Sequence, residues 1–331
     1  MHNIYVASDL AALMLAYLDQ HAIAAPAIRR RLAVWPQHAQ LPIQLWWDLL
    51  EDLQAELNEP ALGLKIGACV RPEHTPVLAY LIMHCATLGE ALLRFQRYQK
   101  LLHNMAEVSL DSDGNVLTMS WDTRHGLSTH LSDEVFMGAL ITFVRQIVDV
   151  SGYGPRALHF NHPAPFPVAV YEELIGCPVV FDAERVAIKL DLAMLALPVN
   201  SRNPFLLELL EKQAEALLDK SAQADAFLES VQAVCVELLN QGAPTLPVVA
   251  RKLNLSTRTL HRRLEERGLN FNGLLRETRL KLAKHYLADS RLELKQVAFL
   301  LGYSEQSAFT RAFGVCTGES PERWRKALNV I

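Results

Sequence analysis

The 331 residues of the chain are enough for about two domains, each large enough to bury a hydrophobic core. Half of the residues are apolar and 21% are charged, a composition that is ordinary for a soluble globular protein. No apolar run reaches the roughly 18–20 residues that a membrane span needs, and the N-terminus lacks a signal-peptide pattern, so we expect a cytoplasmic protein with no membrane contact.

The net charge of −4 is unevenly distributed along the chain. Residues 231–331 carry 16 Lys and Arg against 9 Asp and Glu, a balance of +7. Residues 1–230 carry the remaining 16 basic residues against 27 acidic ones, a balance of −11. A basic module joined to an acidic one is the arrangement expected when only the C-terminal part binds DNA.

The first hundred residues repeat apolar side chains at helical spacing and predict six helices. Their expected ranges are 8–21, 26–34, 43–57, 61–69, 75–85 and 88–103. The spacing then changes to that of strands. Residues 107–111 and 116–122 flank Ser112-Asp113-Gly114-Asn115, which predicts a β-hairpin.

A strand–helix–strand pattern follows the hairpin. The predicted elements are a long helix at 131–150, a strand at 157–161, a helix at 167–175 and a strand at 186–190. This order of elements, with helices first, then a hairpin, a helix and further strands, predicts an α+β domain with a small, largely antiparallel sheet.

Residues 203–219 predict an amphipathic helix with a dense leucine face. The face consists of Leu206, Leu207, Leu209, Leu210, Leu217 and Leu218. Two interpretations stay open: the face packs on the preceding domain, or it forms a dimer seam. Lys220–Asp225 is the predicted linker, so a sensing or dimerisation domain is expected at 1–220 and a second domain at 225–331.

Two helix–turn–helix patterns lie in tandem at 245–267 and 294–313, and they predict an all-α second domain. In each, an apolar-periodic helix is followed by a turn and by a second helix that begins with a serine cap, Ser256 or Ser304. Each second helix is predicted to bury its leucine or phenylalanine face and to present its polar face to the major groove of double-stranded DNA.

The turn and cap residues of the two patterns correspond. Asn254 and Gly302 occupy the position that needs a left-handed backbone. Thr245 is predicted to cap the first helix, whereas Glu293 stands where Ser or Thr is more usual. Residues 272–287 predict a helix of roughly 24 Å between the patterns, a length that suits two recognition helices about one DNA turn (~34 Å) apart.

Helical geometry also selects the residues that face outward from the two second helices. Those predicted to contact base edges are Arg258, His261, Arg262, Gln306, Ser307, Thr310 and Arg311. Arginine is the residue best suited to this role, because its guanidinium pairs bidentately with guanine O6 and N7.

Six stretches of the chain resemble a known family. ARKLNLSTRTLHRRLEERG, FNGLLRETRLKLAKHYL and VAFLLGYSEQSAFTRAFGVCTGESPERWR resemble the DNA-binding domain of AraC/XylS transcription regulators. PALGLKIG, ATLGEALLRFQRYQKLL and HPAPFPVAVYEELIGCPVVFDAERVAIKLD resemble the arabinose-binding-like sensor domain of one branch. The resemblance implies a homodimeric, promoter-binding regulator controlled by a small-molecule effector, with RNA polymerase as a further partner if it is an activator.

A protein-binding N-terminal domain is the alternative, with the leucine face and the acidic charge as its interaction surface. An enzyme is not expected, because no nucleophile elbow, phosphate loop, dinucleotide fingerprint or H-E-x-x-H sequence occurs, and no cofactor is predicted. A polar set in the sixth helix has two interpretations, a pocket for an anionic ligand or a solvated basic face. The set consists of Arg94, Arg97, Tyr98 and His103.

Metal binding is not expected either. His159 and His162 are three residues apart, but Pro163 and Pro165 argue against the helix that would place both on one face. The five cysteines are scattered, odd in number and form no C-x-x-C pair, which argues against a zinc site built from local Cys pairs and against a disulfide framework. We interpret them as buried reduced thiols. They are Cys69, Cys85, Cys177, Cys235 and Cys316.

Overall fold

The computed structural model describes residues 4–33, 40–122, 128–239, 244–267, 269–289 and 291–328. The chain divides into two compact units, His2–Lys220 and Ser221–Ile331, called here the N-terminal and C-terminal units. Among the described residues we find no helix with the length and apolarity that a bilayer crossing demands.

All six helices predicted in the first hundred residues are present. They are α1 (Ala11–Gln20), α2 (Pro26–Ala33), α3 (Ile43–Leu57), α4 (Leu62–Gly67), α5 (Pro76–Met83) and α6 (Leu88–Tyr98). Short 3-10 turns at Ser8–Leu10 and Gln99–Leu101 account for the longer ranges predicted for the first and last of them. Val34, the predicted end of α2, lies outside the described residues.

Three short strands were not predicted: Val179–Val180 of the main sheet and two near the N-terminus. The latter two are β1 (Tyr5–Ala7) and β2 (Gln40–Pro42), which pair antiparallel with Val6 opposite Leu41. Two or three residues are too few to show the alternation of apolar and polar side chains that identifies a strand in a sequence.

The main sheet has five strands in the order β3-β4-β7-β5-β6. They are β3 (Glu107–Asp113), β4 (Val116–Asp122), β5 (Ala157–His159), β6 (Val179–Val180) and β7 (Val186–Asp191). Every pairing is antiparallel except that of β5 with β6, which confirms the predicted α+β fold with a small, largely antiparallel sheet. Asp113 pairs with Val116, so the hairpin turn is the two residues Gly114-Asn115 and not the four predicted.

Two helices cover this sheet region, α7 (His130–Ile147) and α8 (Val168–Ile175). Helix α7 lies against α4 with almost no side chain between the two backbones. A Cβ at Gly138 would collide with the Leu64 carbonyl, and one at Gly67 would collide with the Val135 carbonyl. Only glycine permits this approach. Helix α7 contributes to both hydrophobic clusters of the N-terminal unit, with Leu131 in one and Met137 in the other.

The predicted linker Lys220–Asp225 is helical in the structure. Helix α9 (Pro204–Leu239) runs through residues 220–225 without a break, whereas the sequence analysis ended it at residue 219. The segment Lys220–Asp225 is polar, but it contains neither Gly nor Pro, and its Ala, Gln and Lys residues favour a helix. Polarity alone therefore did not identify a loop.

The leucine face of α9 has two environments. Leu207, Leu210 and Leu218 pack on the core of the N-terminal unit, as one of the two open interpretations expected. Leu206, Leu209 and Leu217 are exposed, and so is the neighbouring Phe205, with 69% of its surface accessible. The face is therefore a packing surface on one side and an exposed apolar stripe on the other.

The C-terminal unit is helical. After the end of α9 come α10 (Leu246–Lys252), α11 (Thr257–Glu265), α12 (Phe271–Ala288), α13 (Leu294–Leu300), α14 (Gln306–Thr317) and α15 (Pro321–Leu328). Helix α12 is the predicted middle helix, one residue longer at each end. It supplies Leu274 and Leu275 to the cluster around α10 and α11, and Ala283 and Leu287 to the cluster around α13 and α14.

Candidate nucleic-acid interface

The first helix pair, α10 and α11, is held together by fully buried side chains. Val249 and Ala250 of α10 meet Leu260 and Leu264 of α11, and none of the four exposes more than 1% of its surface. Asn254 in the turn has φ +54°, the left-handed conformation predicted for it. The pair therefore turns α11 so that the side opposite its leucines faces out.

Ser256 caps α11 as predicted, because its hydroxyl oxygen accepts a hydrogen bond from the Thr259 N–H at 3.0 Å. Thr245 stands at the start of α10, but its side chain accepts no capping bond. Its carbonyl oxygen instead accepts from the N–H groups of Val248 and Val249, each at 3.0 Å. The predicted side-chain cap at Thr245 is therefore wrong, and only backbone hydrogen bonds are formed by Thr245 at the start of α10.

The outward face of α11 carries three of the predicted DNA contacts: Arg258, His261 and Arg262. All three are exposed, Arg262 with 63% of its side chain accessible. Arg262 Nη1 lies 2.8 Å from Glu266 Oε1, and His261 Nδ1 lies 3.1 Å from Glu265 Oε2. Exposed pairs four residues apart on a helix contribute only a few tenths of a kcal/mol, so these cations can exchange a carboxylate for a base edge or phosphate at little cost.

Two further arginines of this segment have a packing role that the sequence did not indicate. The guanidinium groups of Arg263 and Arg267 lie 5.5 and 5.0 Å from the ring centroid of Phe227, near the C-terminal end of α9. Arg267 Nη1 also donates to the Arg263 carbonyl at 2.6 Å. Arg263 is exposed like Arg258 and Arg262, but its guanidinium lies against the Phe227 ring.

The second helix pair, α13 and α14, buries Val297, Ala298 and Leu301 against Phe309 and Phe313. Glycine fits the turn at Gly302, where φ is +72°. The start of α13 is also stabilised, since the Glu293 N–H donates to Gln296 Oε1 at 2.8 Å. The glutamine three residues after Glu293 was the signal for this bond, and the sequence analysis overlooked it.

The predicted serine cap of α14 is wrong. The two turns start alike, with N–H groups of Leu255 and Tyr303 donating to the carbonyls of Ala250 and Ala298. The second turn then continues for one more residue, because Glu305 stays extended at φ −136° and ψ 138°. Helix α14 thus begins at Gln306, its N-cap position is Glu305, and Ser304 lies before it.

The outward face of α14 is less charged than that of α11. Gln306, Ser307 and Arg311 are exposed, whereas Thr310 is half-buried. Ser307 and Arg311 are four residues apart, so they lie on the same side of the helix. Cys316 near the helix end is also exposed, which corrects the expectation that all five cysteines are buried; Cys69 is half-buried, and all five are free thiols.

Two cation–π contacts join α12 to the turn of the second pair and to α15. Arg279 lies 4.9 Å from the Tyr303 ring centroid, and its Nε donates to the Leu301 carbonyl at 3.0 Å. Lys284 lies 4.5 Å from the ring centroid of Trp324 on α15. Side chains of α12 therefore fix the turn between α13 and α14 as well as the helix that follows.

The other polar sets singled out in the sequence lie in the N-terminal unit. Arg94 and Arg97 pair with Glu211 and Glu215 of α9 at 3.3 and 2.6 Å, so they bind α6 to α9 and do not form an anion pocket. His103 is buried away from them. Across the described ranges, no three His, Cys, Asp or Glu side chains stand close enough to hold a metal ion.

Two family models match separate parts of the chain. Residues 20–199 match the family model described as the arabinose-binding domain of AraC transcription regulator, N-terminal, and residues 249–327 match a helix-turn-helix domain. Over 278 residues the chain is 30% identical to the ornithine utilization regulator of Pseudomonas aeruginosa, covering 83% of this chain and 81% of that protein.

A second relative is the HTH-type transcriptional regulator VirS of Mycobacterium tuberculosis, 28% identical over 282 residues, with 84% of this chain and 82% of that protein covered. The crystal structure of the transcriptional regulator CdpR from P. aeruginosa aligns with 95% of this chain and 97% of its own, at 22% identity and a TM-score of 0.48. The relatives are transcription regulators and not enzymes. The chain therefore belongs to the AraC family of DNA-binding transcription regulators, with an arabinose-binding-like N-terminal domain.

Proposed function

We propose that the C-terminal unit reads two successive major-groove segments of a promoter, one with α11 and one with α14. The observation that carries this proposal is the repeated arrangement of the two helix pairs. In each, fully buried apolar residues fix the second helix, and the opposite face presents exposed polar side chains. One helix, α12, packs on both pairs, and its 18 residues span about 27 Å.

Seven side chains are assigned to base edges: Arg258, His261, Arg262, Gln306, Ser307, Thr310 and Arg311. The arginines suit guanine, and the glutamine suits adenine. The N-terminus of α11 lies beside these side chains, and its unpaired N–H groups suit a phosphate oxygen. Affinity would then come mainly from phosphates and selectivity from the seven side chains.

The N-terminal unit is assigned the control of DNA binding. A small-molecule effector bound there would favour the DNA-competent state in proportion to its differential affinity for the two states. The exposed stripe of Phe205, Leu206, Leu209 and Leu217 supports a homodimer seam along α9. RNA polymerase would be a further partner if the regulator activates transcription. The alternative of control by a bound protein has no support from the comparisons.

Selection of bound sequences from random DNA, at near-physiological salt, tests the reading of DNA. The expected result is a motif with two half-elements about 10 bp apart, since adjacent major-groove faces repeat once per helical turn. Binding that is sequence-blind and falls steeply with salt, with and without candidate effectors, would mean that the two helices contact phosphates only.

A further inference from the structure

The core of the N-terminal unit contains a cavity of about 130 Å³. Its wall is almost entirely aliphatic and aromatic, with side chains from α5, α6, α7 and the sheet, among them Leu92, Phe95, Phe136 and Val144. Apolar cavities of this size stay dry and accept benzene-sized molecules. The cavity is therefore large enough for a single six-membered ring with one or two substituents.

Two polar atoms in this wall have no hydrogen-bond partner, the indole Nε1 of Trp121 and the imidazole Nδ1 of His103. Both side chains are at least 94% buried. Their rings both contact Phe136, with centroid distances of 4.8 Å for Trp121 and 5.8 Å for His103. The two unpartnered groups therefore belong to rings that contact the same side chain, Phe136, in the cavity wall.

The other polar groups of the wall differ from these two. Trp46 Nε1 already donates to Ser132 Oγ at 3.2 Å. Burial raises the pKa of Asp133 to about 7 and lowers the pKa of His103 to about 4, so the imidazole is neutral at pH 7. A neutral imidazole has one ring nitrogen that accepts a hydrogen bond, and an indole N–H only donates.

We propose that this cavity is the effector site and that it takes a small neutral ring compound with one hydroxyl group, such as a phenol or a cyclic alcohol. The hydroxyl oxygen accepts from Trp121 Nε1, and the hydroxyl hydrogen is donated to His103 Nδ1. This assignment rests on the proposed function of the N-terminal unit as a sensor of small molecules.

The wall disfavours two other ligand classes. A sugar would bury several hydroxyl groups, and the wall offers too few free polar atoms to satisfy them. An amino acid would bring a carboxylate, and neither Lys nor Arg is among the described residues that line the cavity. A single hydroxyl satisfies both groups, because its oxygen accepts from the Trp121 indole N–H and its hydrogen is donated to the His103 imidazole nitrogen.

The test uses the full chain and ¹⁹F NMR titration with 4-fluorophenol, with fluorobenzene as the apolar control and 4-fluorobenzylamine as the cationic one. Two hydrogen bonds to atoms that otherwise have no partner should make 4-fluorophenol bind about tenfold more tightly than fluorobenzene. Equal binding of the two, or tighter binding of the amine, would overturn the assignment of a hydroxyl compound.

Four variants locate the site. Trp121→Phe keeps the ring but removes the N–H, and it should abolish the preference for 4-fluorophenol while fluorobenzene binds as before. Trp47→Phe is the matched control, because Trp47 Nε1 is also buried without a partner but does not line the cavity. Ala91→Leu and, independently, Ala139→Leu should fill the cavity and block all three probes. Undiminished binding in both well-folded filling variants would overturn the proposal.

Measuring DNA binding together with probe binding distinguishes a failure of the cavity assignment from a failure of the proposed function. If 4-fluorophenol binds and Trp121→Phe abolishes its preference, the site stands even when DNA affinity is unchanged, and it is the sensor role that fails. If none of the three probes binds while the protein still selects a DNA motif, the DNA-binding function stands and the cavity assignment fails.

Discussion

The two units place their polar groups in opposite environments. In the C-terminal unit, Arg258 and Arg262 are exposed on a helix face, and the ion pair of Arg262 with Glu266 is weak and replaceable. In the N-terminal unit, Glu134 is 99% buried and accepts hydrogen bonds from the Gly63 N–H at 3.0 Å and from the Tyr171 hydroxyl at 3.1 Å. Arg258 and Arg262 are therefore available to bind a partner, whereas Glu134 stabilises the fold of the N-terminal unit. Substitutions in the two units should therefore fail in different ways.

The largest effect is expected at Glu134. Glu134→Ala leaves the Gly63 N–H and the Tyr171 hydroxyl buried without acceptors, which should lower the free energy of unfolding of the N-terminal unit by about 2–5 kcal/mol. Glu134→Gln is the matched control, because the amide oxygen still accepts from the Gly63 N–H and the amide nitrogen can donate to the Tyr171 hydroxyl oxygen. Urea unfolding followed by tryptophan fluorescence measures this, since four of the five tryptophans lie in the N-terminal unit. Equal stability of Glu134→Ala and the wild type would contradict the buried network.

The Glu134 carboxyl should also make the free energy of unfolding of the N-terminal unit depend on pH. Burial raises the pKa of Glu134 from its ordinary 4.5 to about 7, despite the opposing hydrogen bonds from Tyr171 and Gly63. The folded state thus binds the proton more tightly than the unfolded state does. Stability from this group is fully present below about pH 4.5 and is lost as the pH rises to about 7, a change of roughly 3 kcal/mol.

The measurement is the difference in unfolding free energy between the wild type and Glu134→Gln at pH 5 and pH 7.5. The wild type should lose stability relative to the variant across this interval. Asp133, whose pKa burial also raises to about 7, contributes with the same sign and is present in both proteins, so the difference reports Glu134 together with its repulsion from Asp133. A difference that stays constant with pH would refute the raised pKa.

In the C-terminal unit the expected change is in binding and not in folding. Arg262→Ala should weaken binding to the selected DNA site by about 1–3 kcal/mol and relax the sequence preference at one base position. Arg263→Ala is the control, because the guanidinium of Arg263 lies against the Phe227 ring. It should leave the sequence preference unchanged. If Arg262→Ala instead weakens binding to all DNA sequences equally, Arg262 contacts a phosphate and not a base.

The contrast between the units also explains what the sequence could predict. The faces of α11 and α14 follow from leucine and phenylalanine spacing, because a helix that buries one side must expose the other. The cavity around Phe136 joins Trp121 from a strand, His103 from a loop and Phe136 from a helix, and no local spacing relates these three. The continuation of α9 through Lys220–Asp225 was missed because a polar composition does not distinguish a loop from a helix, although the absence of Gly and Pro there favours a helix.

The smallest predicted effect compares the two helix pairs directly. Ser256 accepts the Thr259 N–H at the start of α11, so Ser256→Ala should destabilise the C-terminal unit by about 1 kcal/mol. Ser304→Ala should change its stability by less than about 0.5 kcal/mol, because α14 begins two residues later, at Gln306. Thermal unfolding of the two variants, followed by far-UV circular dichroism, measures the difference. Equal losses would indicate that Ser304 does cap α14 and that the second turn is no longer than the first.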